Sequence, residues 1–310
     1  MSPKILLVGS SGMELTVNVK RLADAGEVLR DDGGITYSPG GRGACAAVTL
    51  AKLGADAVFV TRLGADLYGQ KLYNFYKESG VNTAFIKVDR ECPTGFSMKI
   101  NEASGKSRTM VFPGANEKLG QDAVIEAFSA SPNLAFINFE SSFEVARRTA
   151  EMARERNIPI FIDASPANAN FPLDTLPQAE VFSVGEEEAF RYTGIKPTGT
   201  QEALRCALNL SRKIRAKYIV VNLGDRGSVI YDGKRCEVAG VPAIEKCIDK
   251  SAANDAFSAA LCVEYQRCGD IKAAARYAEA AYLITASRFG TTTAVPTDKE
   301  VRERISKLKF

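Results

Sequence analysis

LAFINF (134–139), IPIFIDA (158–164), EVFSV (180–184) and YIVVNLG (218–224) are four nearly continuous apolar runs. Segments of helical periodicity separate them, at 142–156, at EEEAFRYTG (186–194) and at 202–215. A strand that is apolar on both faces is covered on both faces, and strands joined through helices run parallel. This stretch therefore predicts an α/β fold, with a mostly parallel central sheet between two layers of helix.

Toward the N-terminus, KILLV (4–8) reads as another buried strand and ends in GSSG (9–12). A dinucleotide-binding start would run from G-x-G-x-x-G straight into a helix. Here Leu15, Val17 and Val19 alternate like a strand, which counts against that start. Residues 13–38, with the turn-rich DDGG at 31–34, predict short antiparallel pieces. SPGGRGACAAVTLAKLGA (38–55) opens a helix on glycines, and its Ala46, Ala47, Leu50, Ala51 and Leu53 suit close packing. A strand and turn are expected at 56–64, a helix at 68–79 and a strand at 82–89. TGFSMKIN (94–101) and SRTMVFPGAN (107–116) predict a hairpin, joined to 13–38 in one small sheet. A helix at 120–130 precedes the βα run. After it come a hairpin arm, SVIYDG (228–233), and helices at 255–267, 270–286 and 298–308. The expected division is a large α/β domain of residues 1–12, 39–91 and 117–310 and a small β-sheet of 13–38 and 92–116.

With 310 residues, 45% of them hydrophobic, the chain can bury a large core. Its formal charge of +3 is scattered, as in KRLADAGEVLRDD (20–32), so no nucleic-acid stripe is visible. The absence of histidine excludes histidine-based acid–base catalysis, serine–histidine triads included. Seven cysteines without a CxxC pair argue against a zinc site and a disulfide framework, and suit a reducing compartment. No signal peptide precedes Lys4, and no apolar run nears the roughly 18 residues of a membrane span. The expected setting is the cytoplasm, with no membrane partner.

The chemistry concentrates in KCIDKSAANDAFSAALCVEY (246–265). Small residues lead into Asp255 and an apolar-periodic helix, and free N–H groups at such a helix start cradle an anion. A carboxylate there makes sense if it takes a proton from a hydroxyl that attacks phosphorus or a carbonyl. It reads equally as an ordinary first-turn acid favoured by the helix dipole. In an open α/β sheet, ligands sit beyond the carboxyl ends of the strands. The polar residues at those ends are Ser10 to Glu14, Gly40 to Gly43, Glu140, Asp163, Gly185 to Glu188, Gly224 to Gly227 and Ser251 to Asp255. Glu187 and Glu188 are either helix-start acids or holders of a Mg²⁺ water shell.

Taken together, the pattern resembles the ribokinase-like (PfkB) family of carbohydrate kinases, its ribokinases most nearly, over essentially the whole chain. SPGGRGACAAVTLAKLGA looks like that family's first signature, and CIDKSAANDAFSAAL like its second, D-T-x-G-A-G-D-x-F. FPGAN (112–116), Glu140, EEEAF-x-x-TG and LG-x-RG (223–227) fall between them in the same order. The resemblance implies a three-layer α/β/α body with a small antiparallel β lid, and ATP-dependent phosphorylation of a hydroxymethyl group on a sugar or sugar-like substrate. By the resemblance Asp255 is the general base, and backbone N–H groups from Ala252, Ala253, Asn254 and Asp255 form the anion hole, the acid staying ionised. Gly12, Glu14, Gly40, Gly41, Arg42, Cys45 and Glu140 border the sugar. Gly185, Gly224, Gly227 and Glu279 border the nucleotide. Glu188 helps order Mg²⁺, and Asp249 with carbonyls near Ser251, Ser287 and Gly290 holds K⁺. The family also suggests a homodimer formed through the lid.

Departures bear on the substrate. Where the ribose-directed members carry N-x-D after the first strand, this chain has Gly12 and Glu14. The first signature's usual lysine is Arg42 and its usual asparagine Cys45, which argues against simple ribose specificity. Asn254 replaces the glycine before the base, and Gly185 the asparagine of N-x-x-E. These changes keep two other readings open: a nucleoside kinase of the same fold, and a non-catalytic sugar or nucleotide sensor.

Overall fold

The computed structural model describes residues 2–168, 170–240 and 247–307. Lys246 and the end of the expected 298–308 helix lie outside the described residues, as do 241–246 of the large domain. The first half of the chain runs β1 (Lys4–Val8), β2 (Gly12–Val19), β3 (Ile35–Gly40), α1 (Arg42–Lys52), β4 (Asp56–Val60), β5 (Arg62–Gly64) and α2 (Leu67–Glu78). Next come β6 (Lys87–Asp89), β7 (Gly95–Glu102), β8 (Ser107–Phe112), α3 (Gln121–Ala127), β9 (Leu134–Asn138), α4 (Phe143–Glu155) and β10 (Ile160–Asp163). The second half runs β11 (Ala179–Val184), α5 (Glu186–Thr193), α6 (Thr200–Leu210), β12 (Ala216–Asn222), β13 (Ser228–Tyr231) and β14 (Cys236–Ala239). It closes with α7 (Ala253–Cys268), α8 (Ile271–Ala286) and α9 (Asp298–Ser306).

The main sheet has eight strands in the order β14-β13-β12-β11-β10-β9-β1-β4. It is parallel from β12 to β4, and β13 and β14 add antiparallel pairs at one edge. Alternation along each strand divides the core in two. Ile5 and Leu7 of β1 join Phe59, Phe136 and Phe161 beneath α1, α2, α7 and α8. Leu6 and Val8 join Ile137, Ile162 and Phe182 beneath α3, α4, α5 and α6. The three-layer expectation is borne out, because strands with no polar face require helices on both sides.

The small sheet runs β3-β2-β7-β8. Its outer pairs are antiparallel as expected, but the central pair β2–β7 is parallel. The two hairpin-like units meet side by side rather than continuing one meander. Two local readings change and one strand is new. The strand expected at 82–89 is confined to Lys87–Asp89 and pairs with the short β5. FPGAN leaves its strand at Phe112 and becomes a 3₁₀ turn over Gly114–Lys118. The edge strand β14 carries no apolar run that would have announced it. All seven cysteines are free thiols, and no described helix is long and apolar enough to cross a membrane.

Chain order and sheet order part company at β1. From it the chain reaches β4 on one side and later builds β9, β10, β11 and β12 on the other, which opens a crevice above the carboxyl ends of β1 and β9. The loop after β1 and the N-terminus of α1 meet there almost backbone to backbone. A Cβ on Gly43 would lie 2.5 Å from the Gly9 carbonyl carbon, so only glycine fits. The Ala44 N–H donates to the Ser10 carbonyl (2.9 Å) and fixes the junction.

Candidate active site

The rim of that crevice gathers residues from every part of the chain. Glu140, just beyond β9, accepts on Oε2 from the Arg42 backbone N–H (2.8 Å) and from the Ser10 hydroxyl. It thereby ties the loop after β1 to the start of α1. The Arg42 guanidinium extends across the crevice, donates to Ser165 Oγ, and lies 3.5 Å from Asp255 Oδ1 and 3.8 Å from Glu188 Oε1. Ser165 in turn donates to Glu188 Oε1 (2.9 Å). Asp163, Glu188 and Asp255 are all buried.

One guanidinium thus lies within 4 Å of two carboxyl groups and also feels the charge of Glu140 and Asp163. Burial alone would weaken its hold on a proton, but Asp255, Glu188, Glu140 and Asp163 raise it, and Arg42 stays charged. The acids feel the reverse. Asp255 is pushed up to about 7, chiefly by burial, with Glu140 and Glu188 adding to the rise and Arg42 holding it back. Asp163 moves well above the carboxylate range for the same leading reason, with Asp255 adding repulsion. Burial and the neighbouring acids thus work against the ionised Asp255 that the resemblance implies, and Arg42 works for it. A carboxyl so balanced can both accept and return a proton.

Asp255 occupies the first turn of α7, whose N-cap Ala252 supplies no side-chain cap. Among the described residues, the N–H groups of Ala252, Asn254 and Asp255 find no acceptor, whereas Ala253 N–H donates to the Lys250 carbonyl (3.1 Å). Of the four donors expected there, three are free for an anion and the one at Ala253 is committed to the chain.

Cys45 lies on α1, buried, with its thiol pushed up well above the usual range by burial and by Asp255, Glu140 and Glu14. Glu14 and Gly12 sit on β2 opposite Ser38 and Gly40 of β3. Gly41 takes a positive φ of 97° at the cap of α1, which turns the chain inward. The sugar-side set is therefore brought to one place.

The nucleotide-side set gathers around the turns after β11 and β12. Gly185 caps α5 at the end of β11, and Gly224 and Gly227 form the turn after β12. Gly224 N–H donates to Asn222 Oδ1 (2.9 Å), and Asn222 Nδ2 donates to Asn254 Oδ1 (3.0 Å). Hence Gly185, Gly224 and Asn254 form one group. Glu279 of α8 is buried behind the same turn, accepting from the Oγ of Ser228, the residue after Gly227 (2.8 Å), and pushed up to about 8 chiefly by burial. Of the two acids left open, Glu187 is exposed and pairs with Arg191 (2.8 Å), and Glu188 faces the crevice.

Asp249, Ser251 and Gly290 also converge. Asp249 Oδ1 accepts from Ser251 N–H (2.9 Å), and Oδ2 from Gly290 N–H (3.3 Å). The Asp249 N–H donates to the Ala286 carbonyl next to Ser287 (3.1 Å), while Ser287 Oγ is turned away to Ile284. Lys99, reaching from β7, donates to Ser251 Oγ (2.5 Å) and lies 3.9 Å from Asp249 Oδ1. Ser165, Asn222 and Lys99 were missed in the sequence. A polar residue closing an apolar strand, as in YIVVN, was the signal for Asn222; Lys99 left none, because a contact between a strand and a loop distant in the chain has no sequence period.

Comparison with known proteins now bears on this site. Residues 2–298 match the family model described as pfkB family carbohydrate kinase. The chain belongs to that family. It is a carbohydrate kinase, a phosphotransferase, as the resemblance implied. A ribokinase of Arabidopsis thaliana is 26% identical over 316 residues, covering 100% of this chain and 82% of that protein. A ribokinase of Bacillus subtilis (strain 168) is 29% identical over 310 residues, covering 97% and 99%. Among solved structures, that of Arabidopsis thaliana ribokinase complexed with ribose and ATP superposes with a TM-score of 0.88 at 23% identity, covering 100% of both chains. At that identity the likeness speaks for the fold alone.

Proposed function

We propose that this carbohydrate kinase transfers the terminal phosphoryl group of ATP to a hydroxymethyl group of a sugar or sugar-like substrate, with Asp255 as general base. The observation that carries the reading is a buried carboxyl in the same helical turn as backbone N–H donors that meet no acceptor among the described residues. As the substrate hydroxyl oxygen attacks phosphorus in line, its proton passes to Asp255 and the bond to the leaving ADP oxygen breaks. Charge building on the transferred group meets the free N–H donors of Ala252, Asn254 and Asp255 and the positive end of α7. Arg42 favours the ionised form of Asp255. Glu140 braces the crevice wall, with Gly12, Glu14, Gly40, Gly41 and Cys45 bordering the sugar.

Mg²⁺ neutralises phosphate charge when bound. Glu188 fits a hold through water: its Oε1 is anchored by Ser165 and its Oε2 meets no donor among the described residues. The Asp249 and Ser251 donors suit a monovalent cation, and the Lys99 ammonium beside them is a stand-in of the same charge. On this reading K⁺ competes with Lys99. Gly185, Gly224 and Gly227 border the polyphosphate, with Glu279 set back from them. The small sheet acts as a lid that excludes water, and its exposed Ile35, Tyr37, Val111 and Phe112 support pairing of two lids in a homodimer. The departures at Glu14, Arg42 and Cys45 favour a sugar other than plain ribose.

The test is ADP release from Mg·ATP across pentoses, hexoses and nucleosides, with Asp255→Asn beside the parent. Turnover of a sugar by the parent and its loss in the variant support the reading. A parent that turns over none of them overturns the proposed substrate class.

A further inference from the structure

Asn254 precedes the proposed base, and its side chain has a fixed direction. A backbone N–H can only donate, so the Gly224 N–H bonded at 2.9 Å must face the oxygen of the Asn222 amide. That turns Asn222 Nδ2 toward Asn254, which must present its own oxygen at 3.0 Å. Asn254 Nδ2 is left as the free end of the relay, and it meets no acceptor among the described residues. Each bond polarises the next in the same sense, so the terminal N–H₂ is a strengthened donor.

The amide group rests on Gly185. A Cβ at position 185 would lie 3.1 Å from Asn254 Nδ2, 3.6 Å from Asn254 Cγ and 2.8 Å from Glu188 Oε2. The missing side chain at the end of β11 is therefore the room that the Asn254 amide occupies. Asn222 is buried and Asn254 half-buried, and the donor end lies on the Gly185 side, beside the Glu188 that Arg42 and Ser165 approach from the crevice.

We propose that Asn254 is a polyphosphate-binding residue: its Nδ2, aimed by Asn222 and seated on Gly185, donates to a terminal phosphate oxygen of the nucleotide. This rests on the phosphoryl-transfer reading and adds a residue to it. Position 185 is its steric partner, so the two act as a unit and an amide can be supplied from either side.

Calorimetric titration with the Mg²⁺ complex of the imido analogue of ATP, and separately with AMP, tests this. Losing one hydrogen bond to a charged group should weaken binding of the analogue roughly tenfold or more in Asn254→Gly and leave AMP unchanged. Asn254→Asp keeps the volume and the acceptor for Asn222 but brings a carboxylate to the phosphate, and should lose on the order of a hundredfold. Gly185→Asn alone should bind poorly, and the exchange G185N/N254G should return to within about threefold of the parent. Unchanged affinity in both Asn254 variants, equal losses for AMP and the analogue, or an exchange no better than Gly185→Asn overturns the proposal while leaving phosphoryl transfer standing. A parent that binds neither nucleotide overturns both.

Discussion

The two ends of α7 carry dense clusters of charge built on opposite balances. At the N-terminal end, Asp255, Glu188, Glu140 and Asp163 crowd the single guanidinium of Arg42, and Asp255 rises to about 7. At the C-terminal end, two acids meet two guanidinium groups. Arg302 grips Glu264 with two bonds (2.8 and 2.6 Å), and Arg267 (2.7 Å) and Tyr277 (2.6 Å) donate to Asp298. Burial acts on Asp298 too, yet the Tyr277 and Arg267 bonds hold it below the usual carboxylate range. A balanced cluster holds α9 against α7 and α8. An unbalanced one stores electrostatic cost in a crevice, where a substrate can draw on it.

Substituting one charged residue in each cluster should produce opposite outcomes. Asp255→Asn should lower kcat by roughly a thousandfold, the scale of a lost general base, in a steady-state ADP-release assay. The same change should raise the melting temperature at pH 8. The folded value of Asp255, about 7, lies above its ordinary 3.8, so its contribution is fully present below 3.8 and lost as pH rises through 7. The variant's advantage should shrink toward pH 5. For Asp298, with a lowered folded value, stability is lost as pH falls instead. A destabilised Asp255→Asn at pH 8 would erase the contrast.

The pH profile sharpens it further. In the parent, kcat/KM for the sugar should fall about tenfold per pH unit below an apparent pKa near 7, because the base must be ionised. Arg302→Met should leave that profile and both KM values unchanged. It should lower stability by roughly 1–2 kcal/mol in urea unfolding, since Glu264 remains buried without its fork. The smallest effect belongs to the cation beside Asp249. Removing the resident ammonium in Lys99→Met should increase stimulation by K⁺ over Na⁺ on the order of a few-fold; equal stimulation in parent and variant would show that Lys99 does not compete.

Much of this molecule was legible in its chain. The buried strands announced themselves through runs such as LAFIN and YIVVN, because a strand covered on both faces leaves no room for polar alternation. Asp255 was legible as a carboxyl opening a helix, and Glu140 as an acid closing a strand. The parallel pairing of β2 with β7 was not, since register between segments distant in sequence is set by packing. Nor was the seat of Asn254 on Gly185: each looked like a separate departure until the fold placed them in contact.

The sequence by itself determined the order and type of the central strands and the helices and the residue types available at the strand ends, because those follow from local periodicity and chemistry. The tertiary structure alone decided that Arg42 and Asp255, 213 residues apart, lie 3.5 Å from each other. It also decided that one guanidinium feels the charge of four acids, and which way an amide points. Coulomb forces and desolvation depend on distance and burial in space, and neither is written along the chain.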